Sequence, residues 1–205
     1  RTDAAALAVG TDITNPAEVA RMVRTVRDRF RRIDILINNA ALTVKGGSAD
    51  ATRYFAPFED YPLDLWQRAL DVNLTGLFLV TQAVGRVMLK QRRGVMLNMA
   101  SDVGNIRPDH RIYGGVGNPY TKRPFNTPIA YATTKAAVIN FTRYLATYWA
   151  DKGIRVNCLS PGGVYHGHDP KFVERVSSRI PLGRMARENE YQATVLYLVS
   201  DASSY

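Results

Sequence analysis

The chain has 205 residues, of which 46% are hydrophobic and 22% charged, a balance that allows one domain with a sizeable core and excludes disordered or collagen-like classes. It carries no run of eighteen apolar residues, so no membrane partner is expected, and its single Cys158 excludes an internal disulfide and suits a reducing, cytoplasmic setting. The formal charge of +9 is spread over residues 27–32, 90–94 and 107–111 without zinc-finger, basic-zipper or stacked-aromatic motifs, so no nucleic acid partner is expected and a basic rim for an anionic small molecule is preferred.

In chain order, residues 6–12 read as a strand and residues 15–30 as a helix. Asn15 is its expected cap, Pro16 opens it, and Val19, Met22, Val23, Val26 and Phe30 fall on one helical face. Residues 33–40 form a nearly continuous apolar run, as in a strand covered on both faces. A loop over 42–61 precedes a long helix over 62–90, and residues 94–101 give another buried strand. Residues 102–127, rich in Gly, Pro, Asn and Tyr, read as an irregular insertion. Thr127 is the expected cap of a helix that Pro128 opens and Gly153 stops, followed by a strand over 154–160 and a last helix over 188–200. No internal repeat is visible.

Strands alternating with helices predict an α/β fold, a doubly wound parallel sheet of Rossmann type in one domain. In such sheets the ligand crevice lies beyond the carboxyl ends of the strands. Those ends, Asp12, residues 38–41, Ser101 and residues 160–164, are therefore expected on one rim.

Tyr131 and Lys135 lie four apart on the helix after the insertion, so their side chains share a face. Moving a phenol from its usual pKa to neutrality needs about 4 kcal/mol of preference for phenolate. A cation ~4 Å away supplies about 1 kcal/mol in water but about 4 kcal/mol at an effective dielectric of ~20. The pair is inert on a wet surface and effective in a crevice, and a Tyr and a Lys at this spacing also occur commonly as a solvated helix edge.

The surrounding segments decide the reading. "AVGTDIT", "ILINNAA", "DVNLTG", "VMLNMAS", "YATTK" and "IRVNCLSPGGV" occur in this order, and the succession resembles the short-chain dehydrogenase/reductase superfamily over nearly the whole chain. The resemblance implies an oxidoreductase that uses NAD or NADP on a small-molecule alcohol or carbonyl. It implies Tyr131 as general acid/base, Lys135 as its activator and a holder of the nicotinamide ribose, Ser101 as hydrogen-bonding partner of the substrate oxygen, and Asn73 as the asparagine that kinks a helix and orders a water of the proton relay. For cofactor binding it implies Asp12 and Ile13 at the adenine, Asn39 and Ala40 after the central strand, and Pro161, Gly162 and Val164 near the nicotinamide, together with Tyr131 and Lys135. It further implies a homodimer or homotetramer built on helices 62–90 and 128–151. A catalytically silent cofactor sensor or scaffold is the alternative, and the joint presence of Asn73, Ser101, Tyr131 and Lys135 argues against it.

The sequence also departs from the family pattern. The glycine-rich phosphate turn and the residue that selects NAD or NADP are not among these residues, so the sheet is expected to be incomplete and the chain reads as an internal fragment of the fold. Ser101 and Tyr131 are thirty residues apart, much farther than the family spacing, and the segment between Asn39 and Asn73 is also long. The 102–127 insertion is expected to form a lid or substrate wall, and its Arg107, His110, Arg111, Tyr113, Tyr120, Lys122 and Arg123 suit a polar, sugar-like or anionic substrate. His166 stands where a threonine often meets the pyrophosphate. No cluster of Cys or carboxylate residues completes a site with His166 and His168, so no metal is expected.

Overall fold

The computed structural model describes residues 5–42, 50–114 and 126–205. Among these, β1 (Ile35–Asn38), β2 (Gly94–Met99) and β3 (Ile154–Leu159) pair in parallel in the order β1–β2–β3. Helices occupy the connections, as parallel crossovers require. The register sets Asn38 beside Asn98 and Asn98 beside Cys158.

One face of the sheet is covered by α1 (Pro16–Phe30), α4 (Leu77–Gln91) and α5 (Ile129–Tyr148). Val19 and Val23 of α1, Val80, Val84 and Met88 of α4, and Leu145 of α5 meet Met96, Ile154 and Val156 in one core. Leu97 points away from Met96 yet is fully buried, and α7 (Gln192–Val199) lies against β2. Ile35 and Ile37 of β1 remain 47% and 43% exposed, so the first strand is covered on one face only, where the apolar run predicted two.

The long helix runs unbroken from Leu63 to Gln91. It comprises α3 (Leu63–Leu70), a π-helical segment (Asp71–Gly76) and α4. Its length and composition would allow a membrane crossing, but half of its most apolar stretch is buried in the fold, where α4 supplies the core. The π segment is "DVNLTG", the stretch that carries Asn73. Inserting one residue into the helical ladder re-aims side chains, and such bulges favour functional sites.

A buried polar chain crosses this apolar face. The Asn38 amide donates to Thr81 Oγ1 (3.0 Å) and Asn98 Oδ1 (2.8 Å), and the Asn98 amide donates to Thr142 Oγ1 (2.9 Å). Each buried amide is thus partnered, and the chain ties β1 to α4 and β2 to α5.

Several expectations need correction. Residues 6–12 form no strand; Leu7 is exposed. A strand persists only where a neighbour satisfies its backbone, and no described strand lies beside this one. Asn15 does cap α1, accepting from Ala17 N–H (2.9 Å), but Glu18 accepts from Asp12 N–H (2.8 Å) and so ties down the preceding loop instead of closing a capping box. The cap position of α5 is Pro128, without a side-chain bond, and Thr127 Oγ1 pairs with the Tyr113 hydroxyl at 3.1 Å. The last helix is shorter than 188–200, because residues 188–191 turn to follow the Glu190–Arg184 ion pair. Two helices went unpredicted: α2 (Ala51–Tyr54) and α6 (Pro170–Ser177). The second was legible, since Asp169 caps Lys171 N–H and Phe172 N–H, and Pro170 occupies the first turn. Gly153 stops the α5 region at φ +71°, as expected.

Candidate active site

Ser101 follows the end of β2 with extended backbone and is 7% exposed. The β2–β3 ladder continues past both strand ends: Ala100 N–H donates to Leu159 O (2.8 Å) and Asp102 N–H donates to Pro161 O (3.0 Å). Ser101 is therefore clamped between two rungs, with "SPGGV" as the opposing rail. The Ser101 hydroxyl donates to Asp102 Oδ1 at 2.9 Å, and Val103 N–H donates to the same oxygen at 2.7 Å.

The chain then turns directly onto α5. A Cβ on residue 104 would lie 2.8 Å from the Lys135 carbonyl carbon and 2.9 Å from Ala136 N. Glycine at 104 is what lets the serine turn and the Tyr/Lys helix touch backbone to backbone.

On α5 the two side chains lean together: the Lys135 ammonium is 5.6 Å from the Tyr131 ring centroid. Lys135 is 6% exposed and its Nζ donates to Met99 O at 2.6 Å, which ties the helix to the end of β2. Burial pushes the ammonium below the usual lysine pKa, and the neighbouring Cys158 acts in the opposite sense. Burial likewise pushes the Cys158 thiol up.

Asn73, also buried, is a bracket. Its Oδ1 accepts from Leu42 N–H (2.7 Å) and its amide donates to Thr134 Oγ1 (3.0 Å). The Thr134 hydroxyl lies 3.1 Å from Tyr131 O, so the π segment, the loop after β1 and the α5 turn bearing Tyr131 are fastened at one point. Tyr54, unnoticed in the sequence, adds to this corner. Its hydroxyl faces Leu42 O at 3.4 Å, and burial pushes its phenol up, with Tyr61 and Tyr131 adding to the shift.

Two cavities flank these residues. The smaller, about 200 Å³, is lined by Ile13, Asn39, Ala40, Asn73, Met99 and Lys135 among others. The larger, about 490 Å³, is lined by Asp102, Thr127, Gly162 and Tyr191, with aliphatic walls from the insertion (Ile106, Ile112) and from residues 176–182. At the strand end Met99 lines the smaller and Asp102 the larger; on α5 Lys135 lines the smaller, and Thr127, just ahead of the helix, lines the larger. Ser101 and Tyr131 fall between these positions along the chain, and neither lines either cavity.

The remaining expected residues divide. Gly76, in the π segment, comes so close to Ile13 that a Cβ there would lie 2.7 Å from its side chain. Asp12 does not line the smaller cavity; its Oδ1 accepts from Thr14 N–H (2.9 Å) and Thr14 Oγ1 (2.8 Å), which hold the carboxyl below its usual pKa. Pro161 binds Asp102 through its carbonyl, Gly162 N–H donates to the Tyr191 hydroxyl (2.9 Å), and Val164 bridges to Ala186. His166 Nδ1 lies 3.1 Å from Val164 O and its ring packs on His168. Among the described residues no group of three or more His, Cys, Asp or Glu could hold a metal.

The start of the insertion is fastened to α6. Arg179 Nε donates to Asp109 Oδ2 (3.1 Å), Tyr113 stacks on Phe172 with centroids 5.5 Å apart, and Arg175 donates to Gly114 O. Of the insertion residues singled out in the sequence, Tyr120, Lys122 and Arg123 lie outside the described residues.

The family model described as short chain dehydrogenase matches residues 1–114, and one described as Enoyl-(Acyl carrier protein) reductase matches residues 120–205. A 3-oxoacyl-[acyl-carrier-protein] reductase of Synechocystis is 33% identical over 97% of this chain and 70% of its own length. A D-threitol dehydrogenase of Mycolicibacterium smegmatis is 32% identical over 94% of this chain and 66% of its own. The crystal structure of a short chain dehydrogenase from Leptospira borgpetersenii with bound NAD+ superposes with a TM-score of 0.80 at 36% identity, covering 95% of this chain and 68% of that one. With the sheet order, the serine turn and the Tyr/Lys helix already in place, this agreement over nearly the whole chain means that the protein belongs to the short chain dehydrogenase family, whose members are NAD- or NADP-dependent oxidoreductases.

Proposed function

We propose that Ser101, Tyr131, Lys135 and Asn73 form the catalytic centre of an NAD- or NADP-dependent oxidoreductase acting on a secondary alcohol or carbonyl of a small, hydroxyl-bearing, sugar-like molecule. The observation that carries this reading is the placement of a buried ammonium beside the Tyr131 ring, between a cavity that suits a cofactor and a larger one that suits a substrate.

The residues of the smaller cavity fit part of a nicotinamide cofactor: Lys135 offers donors to the ribose, Ile13 an apolar face to the adenine, and Asn39 and Ala40 a backbone ledge. Asp12 fixes the turn that presents Ile13, and Pro161, Gly162 and Val164 form the rail beside Ser101. When bound, nicotinamide supplies the hydride acceptor or donor. Tyr131 takes the alcohol proton at its phenolic oxygen in oxidation and returns it in reduction. Lys135 favours the phenolate; at ~4 Å and an effective dielectric of ~20 a cation contributes about 4 kcal/mol. The Ser101 hydroxyl, which rests on Asp102 Oδ1, turns its proton to the reacting oxygen when substrate is bound. Asn73 keeps Tyr131 in place through Thr134.

For the substrate, similarity to a D-threitol dehydrogenase and the polar end made by Asp102 and Tyr191 favour a polyol-like compound. The aliphatic walls extend this reading to a molecule with an apolar side. The described residues of the insertion, 102–114 and 126–127, act as a wall of that cavity. Phe78, Tyr144 and Tyr148 are exposed on α4 and α5 and suit the contact surface of a homodimer or homotetramer.

The test is Tyr131→Phe in the full-length protein, with a panel of polyols and sugars and NAD or NADP. Cofactor reduction should vanish while the reduced cofactor still binds, as read by its fluorescence; turnover like that of the wild type in the variant would refute the assignment.

A further inference from the structure

Asp102 takes no part in the hydride and proton steps above, yet it holds the Ser101 hydroxyl. Its Oδ1 is occupied by Ser101 Oγ and Val103 N–H, whereas its Oδ2 receives no hydrogen bond among the described residues. The carboxylate lines the larger cavity. Gly162 leaves the space over Oδ2 open, for a Cβ there would lie 3.6 Å from that oxygen and 3.7 Å from the Tyr191 hydroxyl. Tyr191 already accepts from Gly162 N–H, so its own proton is free to donate. Of the other charges of this wall, Arg179 pairs with Asp109 and Arg184 with Glu190, while Arg107 forms no ion pair among the described residues.

A carboxylate oxygen without a donor in a cavity wall is an acceptor waiting for a hydroxyl. Because the same carboxylate fixes Ser101, a group bound at Oδ2 sits next to whatever oxygen Ser101 holds. We infer that Asp102 determines specificity for substrates with a hydroxyl on the carbon adjacent to the reacting carbinol: the Ser101 hydroxyl turns from Asp102 Oδ1 to the reacting oxygen beside Tyr131, and Asp102 Oδ2, with Tyr191 beside it, takes the neighbouring hydroxyl. The inference rests on the proposed catalytic centre and names the substrate feature that centre selects, a vicinal diol or the corresponding α-hydroxy ketone.

The experiment compares butane-2,3-diol with butan-2-ol, and 3-hydroxybutan-2-one with butan-2-one, using the full-length protein and either cofactor. Asp102→Asn keeps an oxygen to accept from Ser101 and Val103 but replaces the free anionic acceptor by an amide. The wild type should prefer each hydroxylated probe, and in Asp102→Asn the ratio of kcat/KM between hydroxylated and plain probe should fall about 10–100-fold, the loss expected for a hydrogen bond to a charged acceptor. An unchanged ratio, or an equal fall for both probes, would reduce Asp102 to a support of Ser101 and overturn the inference. Turnover of the plain probes without preference for the hydroxylated ones would overturn it while leaving the oxidoreductase centre standing. Lack of cofactor turnover with every probe would count against the centre and the inference together.

Discussion

Burying an ammonium costs folding free energy, and Lys135 accepts that cost beside a tyrosine. Replacing it by methionine keeps the volume and removes the charge. Lys135→Met should lower kcat by about 10³-fold if the cation supplies about 4 kcal/mol to the phenolate, while the melting temperature holds or rises. A linkage signature accompanies this. The folded-state pKa of Lys135 lies below the usual lysine value because the ammonium is buried, so the folded protein binds fewer protons in the window between the two values. Stability should therefore gain from this group as pH rises through that window, and thermal melts of Lys135→Met should lack the gain. A variant with intact turnover would show that the cation is only structural.

At the scale of elements, the site depends on a strand end, a helix and a π segment meeting without side chains in between. Gly104→Ala places a methyl group 2.8 Å from the α5 backbone, where no flexible side chain can yield. Overpacking of this kind costs about 1–3 kcal/mol, and each kcal/mol is worth about 2–4 °C of Tm in a domain of this size. Pushing the Ser101 turn off α5 should also lower kcat/KM by about 10²-fold, as small misplacements of reacting groups do. If the variant melts lower but turns over normally, the contact serves stability alone. The Asn38–Asn98 chain belongs to the same scale. The apolar runs of β1 and β2 were legible as strands, but an asparagine within such a run shows neither its partner nor its face until the register is known.

Across the whole molecule, the larger cavity exists because two distant segments are tied together. Asp109 joins the insertion to Arg179, just beyond the end of α6, and its carboxyl is held well below the usual range, chiefly by hydrogen bonding to Arg111. Glu190 is lowered to about 2 by Arg184. A depressed carboxylate contributes stability that is present above its unfolded pKa and lost as pH falls toward the folded value. The wall should thus loosen below about pH 4, seen as faster hydrogen exchange in residues 109–114 and 184–190 than in the core strands. At neutral pH, Asp109→Asn should raise KM several-fold with little change in kcat, since these are exposed pairs of modest strength. No change in exchange or KM would mean that the ties do not shape the cavity.

The sequence by itself determined the alternation of strands and helices and the family, and it singled out Ser101, Tyr131, Lys135 and Asn73 as the candidates of the proposed centre, because hydrophobic period and motif order are local properties of the chain. It also carried the α6 signal, Asp169 followed by Pro170, which went unread. Only the tertiary structure decided that residues 6–12 form no strand, that Lys135 is buried with its ammonium beside Tyr131, and that Asp102 fastens Ser101 while turning an oxygen to the larger cavity. Strand pairing, desolvation and hydrogen-bond partners are relations between segments distant along the chain, and their free energies exist only once folding has brought those segments together.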